Sequence, residues 1–167
     1  IRLFNALGRP NVMVKVPATT EGISAVRDLI AKGINVNVTL TFSLSTYRDV
    51  RQAYISGLED FDRSGGDVSR VASVASFFIS RIDTVVDAFL QERFVTGDKG
   101  VKDLFGKAAI ANAKLAYRDF RFDFCDDRFL SLMGKGARVQ RPLWASTSTK
   151  NASYSDVLYA ESLIGPD

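Results

Sequence analysis

The sequence predicts an α/β fold in which parallel strands alternate with helices. Three observations carry this reading. Short apolar runs recur along the chain, and each is followed by a segment of helical periodicity. Hydroxyl residues that can cap a helix stand between run and helix, and glycines close the helices. Strand–helix alternation in chain order implies parallel pairing through right-handed crossovers. Two architectures satisfy the pattern: an open doubly wound sheet and a barrel of βα units.

Residues 11–18 (NVMVKVPA) read as the first strand. Residues 19–33 read as a helix, with Thr19 or Thr20 as cap, Glu21 in the first turn and Gly33 at the close. Ile23, Val26, Leu29 and Ile30 give it one apolar face. Residues 34–42 (INVNVTLTF) are the second strand. Ser43 or Ser45 then caps a second helix, which ends before Gly65 and Gly66. Residues 71–79 (VASVASFFI) are the third strand. A long connection from Arg81 to Gly136 holds helical segments at 82–94 and 102–120. Residues 137–146 (ARVQRPLWAS) are the fourth strand, and 153–165 a short helix.

Length and composition bound the rest. A chain of 167 residues, 46% hydrophobic, suits one globular domain with a sizeable core, here assigned to residues 1–167. No glycine-rich GxGxxG or GxxxxGK[ST] follows a strand, so nucleotide-binding open sheets lose ground. A complete eight-unit barrel needs ~250 residues. About four units are present, so a barrel reading makes the chain an incomplete barrel. The start at Ile1, without methionine, and the end at IGPD fit part of a longer polypeptide.

The net charge of +3 comes from scattered cations interleaved with acids, which points away from nucleic acid. No apolar run reaches the ~20 residues of a membrane span, and no signal peptide is visible. The single cysteine, Cys125, rules out an internal disulfide and fits a reducing cytoplasm. It reads as an unreactive thiol near a helix. The absence of histidine removes the commonest general base and metal ligand. The Asp126–Asp127 pair has no further clustered ligands, so no metal is expected. Trp144 and the phenylalanines of the long connection read as core.

Side chains alternate across a strand. In residues 34–42, Ile34, Val36, Val38, Leu40 and Phe42 point one way, and Asn35, Asn37, Thr39 and Thr41 the other. Parallel βα arrays normally cover both sheet faces with apolar layers. A polar stripe therefore suggests the interior or mouth of a barrel, where sites form at the strand C-termini. The alternative is buried amides satisfied by neighbouring backbone. In the third strand Val74, Ser76 and Phe78 share one face, and Ala75, Phe77 and Ile79 the other. Arg81 follows, with a fork of donors suited to phosphate oxygens. Its other reading is a surface arginine paired with Asp83. The fourth strand ends in hydroxyls and one ammonium, Lys150, which suits an anion.

Lys15 stands inside the apolar first strand, where a charged side chain needs a reason. Facing a barrel lumen it would be partly desolvated, and desolvation and nearby cations favour the neutral amine. A neutral amine adds to ketones and forms a Schiff base. The alternative is an edge position with the ammonium in solvent.

Four segments taken together resemble one family. VMVKVPATTEGI, GINVNVTLTFS, ASFFISRID and GARVQRPLWASTSTKN are similar, in order and spacing, to transaldolases of the bacterial branch with a long connection before the seventh strand. The resemblance runs along nearly the whole chain. It implies a (β/α)8 TIM barrel of the class I aldolase type, with these segments as strands four to seven. It also implies a catalytic pair, the Schiff-base lysine at Lys15 and a threonine at Thr39 that positions the catalytic water. Substrate contacts would come from Asn37, Ser76, Phe78, Arg81 and Ser146. The family's strand-seven arginine has no counterpart, and Lys150, two residues later, is the nearest cation. The acid–base carboxylates of the family lie on strands one and three, outside these segments. The implied reaction transfers a dihydroxyacetone unit between phosphorylated sugars in the pentose phosphate pathway, with no metal or organic cofactor. The candidate macromolecular partners are a second copy of the chain or a fused sugar-phosphate enzyme. Two other functions fit the same residues: a Schiff-base aldolase releasing free dihydroxyacetone, and a noncatalytic phosphosugar-binding domain.

Overall fold

The computed structural model describes residues 1–165, Leu3 through its backbone alone. Among the described residues one sheet forms from β1 (Val14–Pro17), β2 (Val36–Thr41), β3 (Ser73–Phe78) and β4 (Arg141–Ala145). The strands lie in the order β1-β2-β3-β4 and every neighbouring pair is parallel. The helices are α1 (Arg2–Leu7), α2 (Thr20–Ile30), α3 (Leu44–Arg63), α4 (Ser80–Val95), α5 (Ala108–Phe124), α6 (Asp127–Met133) and α7 (Leu158–Leu163). Short 3-10 segments cover Val68–Arg70 and Lys99–Leu104.

Strand order and layering decide between the two architectures. The order never reverses, as it must in a doubly wound sheet. One face carries Val16, Val36, Val38, Ala75 and Phe77, which pack in one core with Val26 and Ile30 of α2 and Tyr47, Val50, Tyr54 and Leu58 of α3. Each large apolar side chain buried there contributes about 2 kcal/mol before entropy is counted. The opposite face carries Lys15, Arg141 and Leu143, all exposed. Among the described residues helices therefore cover one side only, as in an incomplete (β/α)8 barrel.

Local chemistry places the helices. The Thr19 Oγ1 accepts the Gly22 N–H at 3.1 Å and starts α2; the Ser43 Oγ accepts the Thr46 N–H at 3.1 Å and starts α3. Gly57 lets α3 approach α2, since a Cβ there would lie 2.7 Å from the Ile30 Cβ and 2.8 Å from the Arg27 carbonyl oxygen.

Three expectations need correction, and at Asn35 the alternative of a buried amide satisfied by backbone holds. Residues 102–120 are not one helix: the 3-10 segment ends at Leu104, Gly106 turns the chain with φ +69, and α5 starts at Ala108. Phe89 and Phe122 are 62% and 76% exposed and are not core, although Phe124 and Phe129 are. The strict alternation of β2 breaks at Leu40, whose φ of 60° is left-handed. A register shift between Val38 and Thr41 sends Thr41 to the helix-covered side opposite Phe77, fully buried, and leaves Leu40 44% exposed. Asn35 belongs to structure, because its Nδ2 donates to the Pro10 carbonyl (2.9 Å) and its Oδ1 accepts the Ala72 N–H (2.8 Å). No described helix is long and apolar enough to cross a membrane.

Candidate active site

The uncovered face of the sheet assembles a polar row. Strand register sets Lys15 beside Asn37, and Pro17 beside Thr39. Asn37 in turn pairs with Val74, and the next inward residue, Ser76, donates its hydroxyl to Asn37 Oδ1 at 2.8 Å. Ser76 is 3% exposed and Thr39 8%, and the Ser76 hydroxyl is held by its bond to Asn37. The Thr39 carbonyl accepts the Ala18 N–H at 2.8 Å, which extends the β1–β2 ladder beyond Pro17.

The bulge at Leu40 adds an aromatic wall that the alternation pattern hid. Beyond it Phe42 turns toward Phe78, with ring centroids 5.1 Å apart. The Arg81 guanidinium carbon lies 5.1 Å from the centre of the Phe78 ring, within cation–π range. Asn112 of α5 donates to the Phe42 carbonyl at 2.9 Å and fixes the wall from behind. The place of Phe42 on this wall is not legible from alternation, because leucine is not a residue that announces a left-handed turn.

Lys15 is exposed, contrary to the expectation of a partly dry amine. The reason is architectural: among the described residues no layer covers the face from which it projects. Arg81 does not pair with Asp83. That carboxylate is 2% exposed and accepts the Ala109 N–H (2.7 Å) and the Tyr159 hydroxyl (2.8 Å). Arg81 itself is exposed and forms no ion pair among the described residues.

The fourth strand end is joined to the third. The Ile79 N–H donates to the Ala145 carbonyl (2.9 Å) and the Ser80 N–H to the Ser146 carbonyl (3.0 Å). The Ser80 and Ser146 hydroxyls are 2.9 Å apart, and Ser146 takes a left-handed φ of 56°. Lys150 donates to the Ser148 Oγ at 2.8 Å. It lines a cavity of about 330 Å3 between α4 and the 150–159 segment, with Asp83, Asp87, Tyr154 and Tyr159. Asp83 is read from the sequence only as a partner for Arg81, and the other three escape that reading. The spacing of Asp83 and Asp87, one turn apart on α4, is the signal that could have found the aspartates. Among the described residues no three His, Cys, Asp or Glu side chains cluster as a metal site requires.

Parallel strands in βα order, with helices on one face among the described residues, define an α/β protein of the barrel type. The chain belongs to the Transaldolase/Fructose-6-phosphate aldolase family, which it matches over residues 1–167. It is 50% identical to a transaldolase of Saccharopolyspora erythraea over 165 residues, 99% of this chain and 44% of that protein. It is 51% identical to a transaldolase of Trichodesmium erythraeum over 173 residues, 100% and 45% respectively. A transaldolase of Mycobacterium tuberculosis is 48% identical over 167 residues, 99% and 44%. The chain thus spans less than half the length of these relatives.

Proposed function

We propose that the chain is the central to C-terminal part of a transaldolase, with residues 1–167 as one unit of its barrel. The observation that carries this reading is the row Lys15–Asn37–Ser76, in which an amine stands next to an amide held by a buried hydroxyl. The Lys15 Nζ attacks the C2 carbonyl of sedoheptulose 7-phosphate or fructose 6-phosphate. Loss of water gives an imine, and its protonated form takes up the electron pair of the breaking C3–C4 bond. An aldose phosphate leaves, and the three-carbon enamine on Lys15 waits for a second aldose phosphate. Asn37 binds substrate hydroxyls and Thr39 orients the water that forms and cleaves the imine. Phe78 walls the pocket, while Ser146, Arg81 and Lys150 hold the sugar and its phosphate, a role that suits a guanidinium with no ion pair among the described residues. Proton transfers at C4 need carboxylates from strands beyond these four. Those strands also close the lumen over Lys15. The reading carries a cytoplasmic location in the pentose phosphate pathway, and a second copy or a fused sugar-phosphate enzyme as macromolecular partner.

The test is reductive trapping in the protein at its full native length. Borohydride with fructose 6-phosphate is expected to leave a three-carbon adduct on Lys15, found by peptide mass spectrometry. Lys15→Met keeps an unbranched chain, and is expected to lose the adduct and all transfer while folding normally. An unmodified Lys15 in the folded protein, with no transfer activity, overturns the reading and leaves a binding module. Free dihydroxyacetone, formed without acceptor as fast as transfer with it, assigns an aldolase instead.

A further inference from the structure

From Ser146 to Val157 the chain leaves β4 and runs through turns without regular secondary structure. This segment nevertheless carries Ser146 and Lys150, two residues given to substrate above, and the inference that follows rests on that reading. Ordering irregular backbone costs about 1–2 kcal/mol per residue, so something must hold it.

The hold comes from one face of α4. Ser80 meets Ser146 through the hydroxyl contact of 2.9 Å. Asp83 Oδ2 accepts the Tyr159 hydroxyl at 2.8 Å, and Asp87 Oδ2 accepts the Tyr154 hydroxyl at 2.6 Å. Positions i, i+3 and i+7 share one side of a helix, so the three contacts form a row. Each aspartate also uses its second oxygen on the start of α5: Asp83 Oδ1 accepts the Ala109 N–H (2.7 Å) and Asp87 Oδ1 the Gly106 N–H (3.1 Å). Hydrogen bonds to an ionised carboxylate are the stronger kind. Burial, then the facing carboxylate, holds both phenols above their ordinary range, so each remains a donor. Gly106 makes the fit close: with φ +69, a Cβ there would meet the Tyr154 ring at 3.0 Å. Arg81 sits at the head of the same helix.

We infer that Asp83, Asp87, Tyr154 and Tyr159 are positioning residues for the phosphate end of the site. They fix the 146–157 segment on α4 and thereby set Lys150 relative to Arg81. The long connection before β4 then has a task in recognition, because it supplies both the helix and the α5 backbone that anchor the segment.

Tyr154→Phe removes one hydroxyl and keeps the ring, and is made in the protein at full native length. The KM for glyceraldehyde 3-phosphate is expected to rise about tenfold while kcat stays within about twofold. The constants with unphosphorylated glyceraldehyde stay within about twofold of wild type. Equal losses on both acceptors mean a merely structural role and overturn the inference, as does no change on either. Two measurements need no turnover. Amides of residues 147–157 are expected to exchange about tenfold faster in Tyr154→Phe, with α5 unchanged, and inorganic phosphate to bind about tenfold more weakly by calorimetry. Unaltered exchange and phosphate affinity overturn the inference even where wild type gives no borohydride adduct, a result that sinks the Schiff-base reading alone. Asp87→Asn serves as second variant, since it keeps an acceptor for Gly106 but not the charge. It is expected to shift the same readouts by about threefold, and wild-type behaviour there overturns the inference as well.

Discussion

Ser76 and Asn37 stand on adjacent strands, and their 2.8 Å hydrogen bond fixes which way the amide faces. With Oδ1 occupied, the Nδ2 hydrogens are left as donors toward the open side of the sheet. Ser76 is buried, so no water replaces its hydroxyl when it is removed. Ser76→Ala is therefore expected to cost about 1 kcal/mol of stability in urea unfolding. On the proposed reaction, in the full-length protein, it is also expected to lower kcat/KM for fructose 6-phosphate about tenfold, because the amide loses its fixed orientation. A variant with wild-type kinetics and lowered stability would remove Asn37 from the site. This pair was legible from period-two alternation, since Asn37, Thr39 and Ser76 interrupt apolar strands on one register. Lys15 was legible by the same rule, but its surroundings were not, because solvent access depends on what covers the sheet. Thr41 was misplaced because the left-handed Leu40 inverts the pattern for the residues after it.

The elements show where caps suffice and where tertiary contact decides. Thr19 or Thr20 and Ser43 or Ser45 mark the starts of α2 and α3 in the sequence, and Thr19 and Ser43 are the ones that satisfy the otherwise orphaned N–H groups. The long connection was harder, because α4 carries apolar residues all round and its exposed Val85 and Phe89 look no different from core. Helices α3, α5 and α6 share the aromatic packing of Tyr54, Phe124 and Phe129, and among the described residues two ion pairs that differ in burial also join them. Arg51 and Asp123 meet at 2.6 Å with side chains 3% and 16% exposed, and the guanidinium lies 4.3 Å from the centre of the Tyr47 ring. Arg128 of α6 grips Glu59 of α3 with two bonds of 2.7 Å, but those side chains are 40% and 34% exposed. Asp123→Ala strands a buried guanidinium and is expected to cost about 3 kcal/mol. Arg128→Ala leaves Glu59 to water and is expected to cost at most about 1 kcal/mol, less in high salt. Equal losses for the two variants in urea unfolding would contradict the burial argument.

At the scale of the whole molecule, the residues that titrate set a pH profile of unusual shape. With no histidine, no imidazole changes charge between about pH 5 and 8. On the acid side Glu59 is held below its ordinary value by the hydrogen bond from Arg128, and Asp60 by Arg27. Their stabilisation is present above the ordinary carboxylate range and is lost as pH falls through their lowered values. On the alkaline side Tyr47, Tyr54 and Tyr159 are fully buried, and burial raises all three phenols well above the ordinary value. Above about pH 10 the unfolded chain releases these protons while the folded chain keeps them. The unfolded state then binds fewer protons, so stability falls with pH by about 1.4 kcal/mol per unit for each such tyrosine. Tyr54 isolates the effect, because its hydroxyl makes one bond, to the Arg138 carbonyl at 2.6 Å. At pH 7 Tyr54→Phe is expected to be about 1–2 kcal/mol less stable than wild type, having lost that bond. Phenylalanine does not ionise, so the gap should close by about 1.4 kcal/mol per unit above pH 10 in urea titrations. A gap that stays constant to pH 11 would mean that Tyr54 ionises as readily in the fold as in the unfolded chain. Its hydroxyl would then be open to water, against the packing of α3 on the β4 approach.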